Sequence, residues 1–165
     1  MSMVIYLRRA SAADVERIRA NPTSLEHFVF EQGEHRIDLI GFDKAWHALH
    51  FMLTGQAYGR DHPLGIIADE TPTEGTDENG FGGFSVIEPS RLAIFAEKLS
   101  EVTDEALAAR FDPQAMLAAD IYIADAFVED DPVEAVEYIL QGLPDLRQFV
   151  TSCSERGDGA LRILS

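Results

Sequence analysis

GFDKAWHALHFMLTG, residues 41–55, is the stretch on which the fold of this chain turns. Asp43 suits an N-cap, because its carboxylate can accept the free amide hydrogens of a first helical turn, and Gly55 suits the position just past a helix end. The spacing predicts a helix over residues 44–54. Trp46, Leu49, His50 and Leu53 share one face, yet Ala45, Ala48, Phe51 and Met52 leave the other faces nearly as apolar. A helix apolar on most sides is surrounded by protein. This one is therefore expected at the centre of the domain.

Towards the N-terminus, residues 3–8 read as a strand. Ser11 with Asp14 three residues on makes a capping-box start for a helix that carries Val15 and Ile18 and is closed by Pro22. Thr23 and Glu26 repeat the start signal, with Leu25, Phe28 and Val29 as the buried stripe of a short helix ending before Gly33. Residues 36–40 read as extended. Towards the C-terminus, LGIIAD (residues 64–69) after Pro63 reads as a short buried strand, and the acidic, turn-rich residues 69–80 as a mobile loop. Its acids do not have EF-hand spacing, since counting from Asp69 the glycine falls seventh, at Gly75.

Residues 84–87 read as another strand, and Glu88 with Pro89 opens a helix whose core face is Leu92, Phe95, Ala96 and Leu99. Thr103, Asp112 with Pro113, and Asp131 with Pro132 each start a further helix after a very short connection, the first of them ending near Phe111. Gly142 and Pro144 separate off a last helix bearing Leu146, Phe149, Val150 and Cys153, and residues 160–164 read as a closing strand. Strands at both ends and in the middle, with helices grouped between them, favour α+β over regular β-α-β alternation. The expectation is a helix-rich single domain over residues 1–165, with a small mixed or antiparallel sheet around a central buried helix.

A chain of 165 residues with 46% apolar content suits one domain with a packed core. No apolar run approaches the roughly 20 residues of a membrane span. The opening MSMVIYLRRASAADVERI places its charged pair after a short apolar stretch, the reverse of a signal peptide, so a cytoplasmic location is expected. Cys153 is alone and cannot form an internal disulfide. The chain carries 13 Lys and Arg against 29 Asp and Glu, a net charge of −16. Between Arg110 and Arg147 there is no basic side chain, while Asp112, Asp120, Asp125, Glu129, Asp130, Asp131, Glu134, Glu137 and Asp145 lie there. Nucleic acid and anionic membranes both require a basic footprint, so neither is an expected partner. Two readings of the acidic stretch stand: a solvated face that keeps the protein soluble, or a face that docks a basic protein.

His47 and His50 stand three apart on the central helix, with Asp43 one turn before His47. Two imidazoles at that spacing can share a metal or divide acid and base roles, with a carboxylate orienting one of them. The HExxH zinc motif is absent, because its histidines stand four apart with a glutamate after the first. On so apolar a helix the alternative is a pair of buried histidines satisfied by backbone. Solvent access and hydrogen-bond partners decide between the two. Tyr122 and Asp120, in AADIYIADAF, offer a phenol and a carboxylate to a cleft, and His62 before Pro63 stands in a loop that could line one. His27 and His35 lack local partners and are expected at the surface.

Other motifs fail. GFSVI around Ser85 lacks the second glycine of a nucleophile elbow, and GFGGF at residues 80–84 has neither GxGxxG spacing nor a GK[ST] ending. No catalytic residue, cofactor or metal is assigned.

The MSM strand, FDKAWHALHFMLTG followed by PLG, EPSRLAIFAEKL, ALAARFDPQAM, the IY pair and a short terminal strand together resemble the YfbM-like family of bacterial proteins. The resemblance spans nearly the whole chain in order. It departs after Ile121 and Tyr122, where the family shows proline and then tryptophan and this chain has residues 123–127, IADAF. It implies a small cytoplasmic α+β protein and supplies no reaction. The leading functional expectation is a non-enzymatic binding module whose acidic surface docks a basic protein partner, as toxin-neutralising immunity proteins do. The alternative is a small-ligand binder, or a metal or acid–base enzyme, with a pocket near His47 and His50.

Overall fold

The structure, a computed structural model, describes residues 2–33, 37–75 and 83–165. Four strands form one antiparallel sheet: β1 (Ile5–Ala10), β2 (Leu39–Gly41), β3 (Phe84–Ile87) and β4 (Gly159–Leu164), in the order β2-β1-β4-β3. The closing strand thus lies between the opening strand and β3, with Leu7 opposite Arg162 and Val86 opposite Leu161. Because side chains alternate across a strand, Ile5, Leu7, Ile87 and Ala160 face one side, and Ala10, Phe84, Leu161 and Ile163 the other.

The second face is covered by α1 (Ala12–Ala20) and by a π-helical turn, His27–Glu31, which bury Val15, Ile18, Leu25, Phe28 and Val29. The first face carries α2 (Trp46–Thr54), α3 (Pro89–Ser100), α4 (Asp104–Ala108), α5 (Pro113–Ala118), α6 (Ala124–Glu129), α7 (Pro132–Leu140) and α8 (Leu143–Arg156). In α2 every residue except Phe51 and Thr54 is buried, so the expected central helix is the observed one. The α+β architecture follows as read, with the sheet wholly antiparallel.

Local signals placed most of the helix starts. Ser11 Oγ accepts the Asp14 N–H while Asp14 accepts the Ser11 N–H, and Thr103, Asp112 and Asp131 accept amides of the turns they precede. Gly55 closes α2 in the left-handed region, at φ +73°. Five expectations need correction. Asp43 does not cap α2: it sits at φ +48° in a 3-10 turn, Asp43–Ala45, and its carboxylate accepts the Tyr138 hydroxyl (2.8 Å) instead of helix amides. The α-helix accordingly begins at Trp46, and Ala45 N–H is satisfied by the Phe42 carbonyl. Thr23 is likewise no cap, because a 3-10 turn, Pro22–Ser24, begins at Asn21. α4 ends at Ala108 rather than near Phe111, and β1 runs to Ala10 because Arg9 and Ala10 still pair with β4.

The fifth correction is larger. Residues 64–69 form no strand, although Leu64, Ile66, Ile67, Ala68 and Asp69 are all buried. Two arginines supply what a neighbouring strand would have given. Arg91 donates to Gly65 O (2.8 Å) and Arg162 to Ile67 O (3.1 Å), and both contact the Asp69 carboxylate, at 2.9 and 3.5 Å. Ser85, beside Arg162 in the sheet, accepts from its Nε (3.1 Å). Asp69 is 1% exposed, so the segment expected to be a mobile loop is anchored at its first residue. Residues 76–80 of that segment, most of GFGGF, His35 and Arg36 lie outside the described residues.

Candidate functional site

His47 is held on both ring nitrogens by backbone. Nε2–H donates to the Ala57 carbonyl (2.8 Å), and Nδ1 accepts the Tyr122 N–H (2.9 Å), which fixes a neutral tautomer and ties the start of α2 to two distant segments. Burial pulls its pKa down, with the Ala57 bond and the nearby Asp120 charge opposing. His50 is fully enclosed. Its Nδ1 accepts the Ala68 N–H (3.3 Å), and its Nε2–H meets no acceptor among the described residues. Burial, reinforced by His47, pulls its pKa down to about 4. Neither imidazole presents a free lone pair to a ligand. Among the described residues no three His, Cys, Asp or Glu side chains stand close enough to hold a metal ion.

Beside His47 the surface opens into a cleft of about 430 Å³. One wall is Trp46 and His47 at the start of α2, with Tyr58 just beyond its end. The other is the corner between α5 and α6, from Leu117 through residues 120–125, and Met3 closes one end. The rings form a continuous row: Tyr122 stacks on Trp46 (centroids 6.0 Å), Trp46 on His47 (4.8 Å), and Tyr58 meets His47 at a tilt of 42° (4.8 Å). Trp46 Nε1–H donates to Met3 O (3.1 Å), and Met3 N–H donates to the Tyr122 hydroxyl (3.2 Å), so that hydroxyl is used at the cleft's edge.

The corner itself is strained. Asp120 and Ile123 both adopt left-handed backbone, at φ +59° and +56°. Aspartate tolerates this, but a β-branched residue pays about 1–2 kcal/mol for it. The Tyr122 N–H bond to His47 lies between the two residues and holds the conformation. Such outliers gather where a surface has been shaped for a task.

The structure therefore brings His47, Tyr122 and Asp120 together and leaves the other candidates apart. Asp43 faces Tyr138; His50 is sealed behind Ala68; His62 lines a separate cleft with Arg110 at the far end of α2. His27 is exposed as expected, but contrary to expectation it has a local partner, Glu31 one turn on (2.7 Å). Cys153 is in the core, where burial raises its thiol pKa to about 12. Tyr58, Met3, Leu117 and Asp125 went unread as site residues. An exposed aromatic in the turn-rich GQAYGR was the available signal for Tyr58.

No helix among the described residues is long and apolar enough to cross a membrane. Among curated proteins none matches the chain. The chain is similar in fold to a protein of unknown function, YfbM from Escherichia coli, with a TM-score of 0.68 and 17% identity over 96% of this chain and 97% of that one. Residues 1–163 match the family described as a domain of unknown function, DUF1877, and the chain belongs to that family.

Proposed function

We propose that this protein is a binding module that docks a basic protein partner through its acidic C-terminal half. One observation carries the reading. Of the nine acids between Arg110 and Arg147, eight are exposed and Asp145 is half-buried, and among the described residues none is in a salt bridge. Elsewhere several acids are compensated: Asp38 and Asp158 by Arg9, Asp69 by Arg91 and Arg162, Glu74 by Arg19 and Asp104 by Arg147. Uncompensated charge on one face speeds encounter with a partner of opposite sign and selects against others of like sign. Acid–base or metal chemistry at the central helix has less support, because backbone partners occupy both nitrogens of His47 and His50 is enclosed.

The test begins with capture from a lysate at low and high ionic strength, followed by identification of the retained protein and association kinetics with it in purified form. The comparison is a variant with Glu129→Gln, Asp130→Asn, Glu134→Gln and Glu137→Gln, whose side chains are exposed and neither pair nor cap. The association rate is expected to fall on the order of tenfold, with little change in dissociation. An association rate indifferent to salt and to the four changes, or no basic protein retained at low ionic strength, refutes the proposal.

A further inference from the structure

We infer that the cleft beside His47 seats a guanidinium side chain of the basic partner, as the anchor of the docking proposed above, on which this inference rests. Among the described residues, three of the six large hydrophobic side chains with substantial exposure, Met3 (39%), Tyr58 (48%) and Leu117 (47%), line this one cleft. Exposed apolar side chains gathered around a concavity mark a contact site more than the same number scattered singly. The cleft's charged lining is Asp120 and Asp125, both exposed and both without a hydrogen bond or ion pair from their carboxylates among the described residues. No Lys or Arg lines it, and His47 stays neutral with its lone pair taken. An anion would meet two carboxylates, and a purely apolar group would leave them buried against it.

A guanidinium satisfies both kinds of wall. Its flat face stacks on an aromatic ring while its in-plane N–H groups reach carboxylates, and it loses less hydration than an ammonium on entering. Tyr58 supplies an exposed ring, and the left-handed turns at Asp120 and Ile123 fix the corner that carries the acids before anything binds. Pre-organisation of this kind reduces the ordering cost of docking.

The probes are acetyl-Gly-Arg-Gly-amide and its lysine and citrulline counterparts, titrated into the full chain. Trp46, the single tryptophan, reports by fluorescence from the cleft wall, and amide shifts are followed at Tyr58 and residues 120–125. The arginine peptide is expected to perturb both signals saturably, the lysine peptide more weakly, and the citrulline peptide, which keeps the shape without the charge, not at all. Tyr58→Ala, at a residue nearly half exposed, should weaken the arginine peptide about two- to fivefold, and Asp125→Asn should weaken it further. Equal response to citrulline, or arginine shifts confined to α6 and α7 with the cleft amides unmoved, overturns the inference. A partner whose association is slowed by neutralising residues 129–137 but is unaffected by Tyr58→Ala overturns the anchor while leaving the docking face intact.

Discussion

Lowering the pH should weaken this fold through His50 before it does so through Asp69. His50 is enclosed as a neutral imidazole, with a pKa pulled from 6.5 to about 4 by burial and by nearby His47. Between those values the unfolded chain binds more protons than the native one. Stability is therefore complete above about pH 6.5 and is lost as the pH falls towards about 4. The depression corresponds to about 3 kcal/mol, a large share of the about 5–15 kcal/mol that holds a domain together. Asp69 acts in a different window. Burial pushes its carboxyl up, but Arg91, the Thr71 amide and Arg162 outweigh that and hold its pKa below 3.8, so its contribution is present above that value and disappears only below it. Urea denaturation across a pH series, comparing the protein with His50→Asn, isolates the imidazole. The asparagine oxygen lies where Nδ1 was and can still accept the Ala68 N–H but does not titrate. The difference in unfolding free energy between the two should change by about 2.5 kcal/mol from pH 7.5 to 4.5, with the histidine protein losing. A difference that is constant over that range would refute the enclosure of a neutral His50.

Two further outcomes follow from the charges. Asp69→Asn leaves Arg91 and Arg162 without their carboxylate in the interior and should cost about 3–5 kcal/mol, seen as a fall of about 10 °C in Tm near neutral pH. The two proteins should converge as the pH drops well below the ordinary carboxylate range. Glu129→Lys should raise stability by about 0.5 kcal/mol at low ionic strength, because Glu129 ends α6 beside Asp130 and both carboxylates face the negative end of that helix. Chemical denaturation with and without added salt checks it, and the gain should shrink as salt screens the surface.

What could be read in the sequence was what the chain decides locally. A serine or aspartate cap needs only amides two or three residues ahead, so Ser11, Thr103, Asp112 and Asp131 could be placed without knowing the fold. The central helix was legible because its apolarity exceeded one stripe. Asp43 failed because a partner 95 residues away, Tyr138, takes its carboxylate. LGIIAD failed for the same kind of reason. Its apolar run states that it is buried, but Arg91 and Arg162, distant in sequence, satisfy carbonyls that a ladder would otherwise have taken. At His47 the sequence offered two readings, a ligand or acid–base group and a buried imidazole satisfied by backbone, and the hydrogen bonds are those of the second. Its imidazole positions the corner that lines the cleft, a job set by contacts with Ala57 and Tyr122 that no spacing encodes.

The distribution of acids separates the two readings of the surface more sharply than their number does. A charge kept only for solubility is equally useful anywhere, and selection for stability would move it towards helix starts, as Asp112 and Asp131 have moved. Glu129 and Asp130 stand at the opposite pole, at the end of α6, where they oppose the helix dipole with no arginine to compensate. Asp120 stands on left-handed backbone in the cleft and Asp125 in its wall, both without a partner among the described residues. Of these, Glu129 is at a position where a carboxylate costs local stability, whereas Asp125, in the first turn of α6, is favourably placed. Glu129→Lys thus discriminates: under the solubility reading it yields a more stable protein with association unchanged, and under the docking reading the same stabilisation comes with slower capture of the basic partner.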